Sequence, residues 1–184
     1  MKYYAGIGSR ETPQRILDAF YEISRQAAAL NWTLRSGRAP GADTFFEKGC
    51  IAANGPCEIF VPWSGFPNGS DLRMRPAYVF DRLDRMQKDA AISSVSVYHP
   101  APDRLSQGAM KLMARNYCQM HGPKADSPDT DLVVCYTKDG RASGGTGQAI
   151  RMAEDAGITV LNAHGYEDRP DDFVRDVIAY MRTV

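Results

Sequence analysis

The chain carries no excess of either charge. Lys and Arg together number 22, Asp and Glu together 22, and the formal net charge is zero. A protein that grips duplex DNA by neutralising its phosphates shows a basic surplus, so the balance argues against that class while leaving room for a local basic cleft. Histidine is scarce, with only His99, His121 and His164, and no two of the four cysteines (Cys50, Cys57, Cys118 and Cys135) have CxxC spacing. That argues against a structural zinc site and fits a reducing compartment. Long apolar runs are missing too. The opening Met1-Lys2-Tyr3-Tyr4-Ala5-Gly6 leads directly into strand-like sequence. Neither a signal peptide nor a membrane span is expected, and the expected location is cytoplasmic. There is no internal repeat, low-complexity tract or interdomain linker. With 184 residues, 43% hydrophobic and 24% charged, residues 1–184 read as one domain large enough for a substantial core.

Against those absences stand two glycine-rich turns, Ser36-Gly37-Arg38-Ala39-Pro40-Gly41-Ala42-Asp43 and Ser143-Gly144-Gly145-Thr146-Gly147. Each follows an apolar, strand-like run and precedes a helix-like one. Backbone N–H groups and the positive end of a helix then point at one place, which is how a fold holds phosphate.

The rest of the pattern agrees. Residues 3–7 predict a short buried strand. Thr12 is placed as the N-cap and Pro13 as the first residue of a helix running to Leu30, with Ile16, Leu17, Phe20, Ile23, Ala27 and Leu30 at three- and four-residue steps. Strands are expected at 32–35, 58–62, 132–137 and 158–161. Helices are expected at about 42–53, 106–121, 147–156 and 171–182, the last begun by Pro170 and acidic residues. Met110, Met113 and Met120 suit core or interface positions. The middle, roughly 64–104, is the least legible part: a loop from Ser64 through Asn68 and Gly69, a mixed-face helix over 76–91, and a break at Pro100–Asp103. Alternating strands and helices predict an α/β, Rossmann-like, doubly wound parallel sheet in three layers, with ligands beyond the carboxyl ends of the strands.

Candidate site residues fall at those ends. Gly8, Ser9 and Arg10 follow the first strand, and an arginine there can fork onto a phosphate; a surface pairing of Arg10 with Glu11 is the alternative. Gly37, Arg38 and Gly41 shape the first glycine turn, while Gly144, Gly145 and Gly147 shape the second. Ser143 and Thr146 offer hydroxyls to phosphate or cap the helix. Asp43 and Glu47, four apart, share one helix face. Paired carboxylates near a sugar suit hydrolysis of a glycosidic bond, and a solvated acidic face is the plainer reading. Trp63 closes the third strand, where it can stack a base or pack at the rim. Arg73, Arg75, Arg82 and Arg85 put positive charge in the middle segment, for a phosphate, a subunit contact or neither.

Tyr4-Ala5-Gly6-Ile7-Gly8-Ser9-Arg10, the Ser36–Asp43 turn and Gly144-Gly145-Thr146-Gly147 together resemble the SLOG superfamily. That group includes the Lonely Guy phosphoribohydrolases, the Rossmann domain of DNA-processing protein A and YpsA-like nucleotide-binding proteins. The likeness is strongest to short YpsA-like and phage-type members, where Gly-Ala-Asp follows the second strand. The Lonely Guy signature is Gly-Gly-x-Gly-Thr-x-x-Glu, with an upstream arginine. Arg115-Asn116 resembles the arginine segment, but Arg151 stands where the signature has its glutamate. The phosphate cradle carries over and the usual catalytic carboxylate does not. The resemblance implies a nucleotide-type small-molecule ligand and a homo-oligomer, dimer or tetramer. Two functions remain open: N-glycosidic cleavage of a nucleoside monophosphate, with Asp43 or Glu47 as nucleophile or base and neither metal nor cofactor, or a non-catalytic nucleotide sensor or sequestering protein. Single-stranded DNA binding is less favoured by the neutral charge.

Overall fold

The computed structural model describes residues 1–67 and 76–184; Asn68, Gly69, Arg73 and Arg75 lie outside the described residues. The strands are β1 (Lys2–Gly6), β2 (Trp32–Ser36), β3 (Cys57–Val61), β4 (Ala77–Val79), β5 (Leu132–Cys135) and β6 (Thr159–Asn162). Among the described residues they form one six-stranded sheet in the order β4-β3-β2-β1-β5-β6, parallel throughout. The helices are α1 (Gln14–Ala29), α2 (Ala42–Ala52), α3 (Arg85–Tyr98), α4 (Gln107–His121), α5 (Gly144–Asp155) and α6 (Pro170–Thr183).

Side chains alternate across a strand, and that alternation builds two cores. Tyr4, Leu34, Leu132 and Val134 face α1, α2 and α6, where they join Phe20, Phe46 and Val177. Ala5, Val133 and Cys135 face the opposite way, toward Met120 of α4 and Ala149, Ile150 and Met152 of α5. A satellite cluster of Phe80, Ala91, Val95 and Ala114 joins α3 to α4. Strands covered on both faces are mostly apolar, which is why β1 and β5 are legible as apolar runs, whereas β2 buries Thr33, Arg35 and Ser36 beside Trp32 and Leu34.

The chain winds outward from β1 through β2 and β3 to β4, then returns to place β5 on the other side of β1. Tyr4 pairs with Leu132 and Gly6 with Val134. The pairing continues past the strand ends: the Ile7 N–H donates to the Val134 carbonyl and the Ser9 N–H to that of Tyr136, both at 3.1 Å. The segments leaving β1 and β5 are thus held side by side where the winding reverses, the point at which parallel sheets open a crevice.

Three local expectations are corrected. Thr12 does not cap α1: its hydroxyl donates back to the Ser9 carbonyl at 2.6 Å, and Pro13 occupies the cap position without a side-chain bond. Residues 76–91 are not one helix. β4 is followed by a 3-10 turn at Phe80–Arg82, and α3 starts at Arg85, with the Asp84 carboxylate accepting from the Gln87 N–H at 2.8 Å. A three-residue strand is too short to show alternation, and β4 exists because Ala77 and Val79 pair with Ile59 and Val61 of β3. Finally, α5 begins at Gly144, so the later glycine turn is itself the first turn of the helix.

Candidate functional site

A cleft of about 540 Å³ opens at the carboxyl ends of β1 and β5. One side is residues 7–11, which leave β1. Opposite lie Thr137, Lys138 and Asp139, which leave β5, and Ser143 to Thr146 at the start of α5. Ala39 and Asp43 come from the turn after β2. Helix α4 contributes Leu112, Met113, Arg115, Asn116 and Gln119.

The innermost part is a buried polar network on α4. Arg115 Nη1 stands 3.6 Å from Asp43 Oδ2, and both residues are almost fully buried. The Gln119 carboxamide, oriented to satisfy its neighbours, accepts through its oxygen from Arg115 Nη1 at 3.0 Å and from the Gly37 N–H at 2.8 Å. Its nitrogen donates to Asn116 Oδ1 at 3.1 Å. Asn116 Nδ2 in turn donates to Gln148 Oε1 at 2.8 Å and to the Gly145 carbonyl at 3.3 Å. One chain of hydrogen bonds therefore runs from the earlier glycine turn to the later one. Gly37 is required by close approach, because a Cβ there would overlap the Arg115 guanidinium.

Burial pushes the Asp43 carboxyl above its ordinary value, against the pull of Arg115 and of the Ala39 and Gly37 N–H groups. Burial holds the Arg115 guanidinium below its usual value; Asp43 opposes this, and the charge of Arg10 adds to the lowering. Arg10 and Arg115 thus act on the same space from the mouth and the floor of the cleft.

The α5 N-terminus forms the outer wall. Gly144 has φ +60°, which favours glycine, and a Cβ there would meet nothing within 4 Å. The Gly147 N–H closes the first turn on the Ser143 carbonyl at 2.8 Å. The N–H groups of Gly144, Gly145 and Thr146 precede that bond and have no acceptor within the helix. They carry the positive end of the helix dipole to the cleft. Ser143 occupies the cap position but does not cap α5; its hydroxyl donates to Asp139 Oδ1 at 3.0 Å. The Arg141 N–H bond to Asp139, followed by that of Ser143, holds the Asp139 carboxyl below its ordinary value. Around the cleft Arg10, Arg115 and Lys138 are balanced by Glu11, Asp43 and Asp139. The lining therefore carries no surplus of charge, and the helix end and the placement of the cations are the features that could favour an anion.

Of the candidate residues, Gly8, Ser9, Arg10, Asp43, Arg115, Ser143, Gly144, Gly145 and Thr146 line the cleft. It does not gather the others. Glu47 is fully buried and its carboxylate is taken by the Arg38 guanidinium, so Glu47 does not face the cleft with Asp43, and Arg38 points inward. Gly41 (φ +93°) precedes α2, and a Cβ there would lie 3.4 Å from the Ser9 carbonyl oxygen. Gly147 is required because a Cβ would overlap the Ala142 backbone. Trp63 lies outside the lining; it packs edge-on against Phe66 with ring centroids 5.3 Å apart. Arg82 and Arg85 also lie outside, Arg85 facing Asp89 on its own helix at 3.6 Å. Arg151 turns away, donating to the Tyr98 carbonyl at 2.8 Å and the Ala142 carbonyl at 2.6 Å. Thr137, Lys138 and Asp139 join the lining without being singled out by the sequence pattern; their position just after an apolar strand is the signal that marks them. Of the three methionines, Met120 is core and Met113 lines the cleft.

No known family model and no curated protein matches this sequence. Solved structures do match in fold. The Moco carrier protein of Chlamydomonas rheinhardtii has a TM-score of 0.57 at 15% identity, over 99% of this chain and 96% of that one. The protein TM1055 has a TM-score of 0.53 at 15% identity, over 87% of this chain and 72% of that one. DNA processing protein A (DprA) from Streptococcus pneumoniae has a TM-score of 0.51 at 15% identity, over 97% of this chain and 56% of that one. At 15% identity these likenesses show the fold alone, an α/β Rossmann-like parallel sheet that this chain shares with them.

Proposed function

We propose that this protein binds a nucleotide or nucleotide-derived ligand in the cleft, with its phosphate on the N-terminus of α5. The observation that carries the reading is the convergence of the Gly144, Gly145 and Thr146 backbone, Arg10 and Lys138 at the point where the sheet's winding reverses. Holding the ligand without turning it over is the favoured form. Arg151, at the position of the related hydrolases' glutamate, is tied to two carbonyls and offers no carboxylate. One neighbour in fold is by name a carrier of the molybdenum cofactor, a precedent for a small molecule held by this architecture.

Hydrolysis of a nucleoside monophosphate at its N-glycosidic bond is the second reading, and it rests on Asp43 alone. Asp43 is the buried carboxylate in the lining, and burial raises its proton affinity, the direction that general acid–base work requires. Calorimetric titration with nucleoside 5′-monophosphates, with chromatography of the same mixtures for released base, separates the two. Binding without released base supports the carrier or sensor, whereas base released by the wild type and not by Asp43→Asn supports the hydrolase. Gly145→Asp is expected to abolish binding. A Cβ there would meet only the flexible end of Met113, at 3.0 Å, so the fold is expected to survive the change.

A further inference from the structure

At the end of the sheet opposite the cleft lie two cysteines that ligand binding does not use. Cys50 sits in the last turn of α2, and Cys57 opens β3. They meet because of the way α2 stops. Asn54 takes φ +51°, and the Gly55 N–H donates back to the Cys50 carbonyl at 2.8 Å, the longer of the two bonds that define a Schellman motif. The chain is folded back over the end of its own helix. The Cys50 thiol then donates to the Pro56 carbonyl at 3.4 Å, and Cys57 is the next residue. Gly55 makes room for this return, because a Cβ there would stand 3.0 Å from Cys50 Sγ and 2.5 Å from Ala28 Cβ.

Both side chains fall on one side of the sheet. Residues 57, 59 and 61 of β3 share a face. Ile59 and Val61 belong to the same core cluster as Cys50, and Cys57 packs against it. Both sulfurs also act on one hydroxyl: burial first, then the Cys50 thiol, and less strongly the Cys57 thiol hold Tyr4 above its ordinary value, against its hydrogen bond with Ser24. The two differ in access. Cys50 is 1% exposed, whereas Cys57 is partly exposed. An oxidant therefore meets Cys57, with Cys50 beneath it as the second thiol.

We propose that Cys50 and Cys57 are a reversible redox pair that hydrogen peroxide closes to a disulfide. The Cys57 thiolate takes one peroxide oxygen as the O–O bond breaks, giving a sulfenic acid. The other oxygen leaves as water, carrying the proton that the thiol released. The Cys50 sulfur then attacks the Cys57 sulfur. The S–S bond forms, the S–O bond breaks, and the hydroxyl leaves with the Cys50 proton as a second water. Two electrons pass from the sulfurs to the peroxide, and a dithiol returns them. In a reducing compartment such a bond is transient, which suits a sensor of oxidant. The pair stands apart from the cleft, and its test does not depend on any ligand.

The test treats the folded full chain with stoichiometric hydrogen peroxide, blocks the remaining thiols with N-ethylmaleimide in urea and maps the peptides by mass spectrometry. The expected product is a peptide linked through Cys50 and Cys57, with the chain lighter by two hydrogens, about 2 Da. Cys118 and Cys135 should carry the label, and dithiothreitol before blocking should return label to all four cysteines. In Cys50→Ser, Cys57 is expected to stop at the sulfenic acid and to be captured by dimedone. Wild-type protein in which Cys57 is oxidised while Cys50 still takes the label overturns the proposal. So does a disulfide between any other pair, or full labelling of all four cysteines after peroxide. The wild-type map decides the matter even if the variant fails to fold.

Discussion

Arg38 Nε donates to both oxygens of the Glu47 carboxylate, at 3.0 and 2.9 Å, inside the protein and away from the cleft. The residue that spacing offers as a partner for Asp43 is therefore the anchor of the turn that presents Asp43. Removing Glu47 breaks its buried ion pair with the Arg38 guanidinium, and breaking such a pair costs about 3–5 kcal/mol. Glu47→Ala is expected to lower stability by that much in urea denaturation. Ligand affinity per folded molecule should change little, because the carboxylate does not face the ligand.

Gly37→Ala tests the opposite case, a small change at the floor itself. The new methyl group would overlap the Arg115 guanidinium. Overpacking of this kind costs about 1–3 kcal/mol. The larger effect is expected on binding, since Arg115 must leave both Asp43 and Gln119 to make room. A loss of more than about tenfold in nucleotide affinity, measured calorimetrically on protein shown folded by circular dichroism, is the expected outcome. Unchanged affinity would show that Arg115 does not touch the ligand.

Much of this arrangement is legible in the sequence because buried strands announce themselves. β1 and β5 are apolar runs stopped by polar or glycine-rich turns, so the residues at their ends mark the cleft from the residue pattern alone. Direction is what a sequence hides. The four-residue spacing of Asp43 and Glu47 correctly sets them on one face of α2, yet only packing decides that Asp43 meets the cleft and Glu47 meets Arg38. Arg151 shows the same limit: its place in the motif is readable, but its engagement with the Tyr98 and Ala142 carbonyls depends on where α3 ends in space. Gln119 carries no local signal either, because its partners Gly37 and Arg115 are brought to it by β2 and α4 together. β4 escapes because three residues define no period and its stability comes from pairing with β3.

The pH dependence of stability follows from the raised Asp43 carboxyl. The folded state takes up this proton at a higher pH than the unfolded chain, whose ordinary value is 3.8. Between the two values the folded state binds more proton, so stability from this group falls as pH rises. The difference in unfolding free energy between wild type and Asp43→Asn, followed by urea denaturation, is expected to shift against the wild type as pH rises from 3.8 through the folded value, and then to level off. A difference that moves in favour of the wild type over that window would show that Arg115 outweighs burial.

Thiol reactivity should follow the cores. Burial pushes the Cys118 and Cys135 thiols up to about 12, and both side chains are fully enclosed. Neither should react with iodoacetamide at pH 8 in the folded protein, since the thiolate is the nucleophile. Cys57, partly exposed at the start of β3, should label first. Peptide mass spectrometry after timed labelling reads this directly, and early modification of Cys135 would mean that the α5 side of the sheet opens in the native state.

The proposed nucleotide binding turns on a phosphate held by the first turn of α5. A crystal structure with a bound ribonucleoside 5′-monophosphate is the decisive measurement. Phosphate oxygens are expected within hydrogen-bond reach of the Gly144, Gly145 and Thr146 N–H groups. A phosphate bound elsewhere would contradict it.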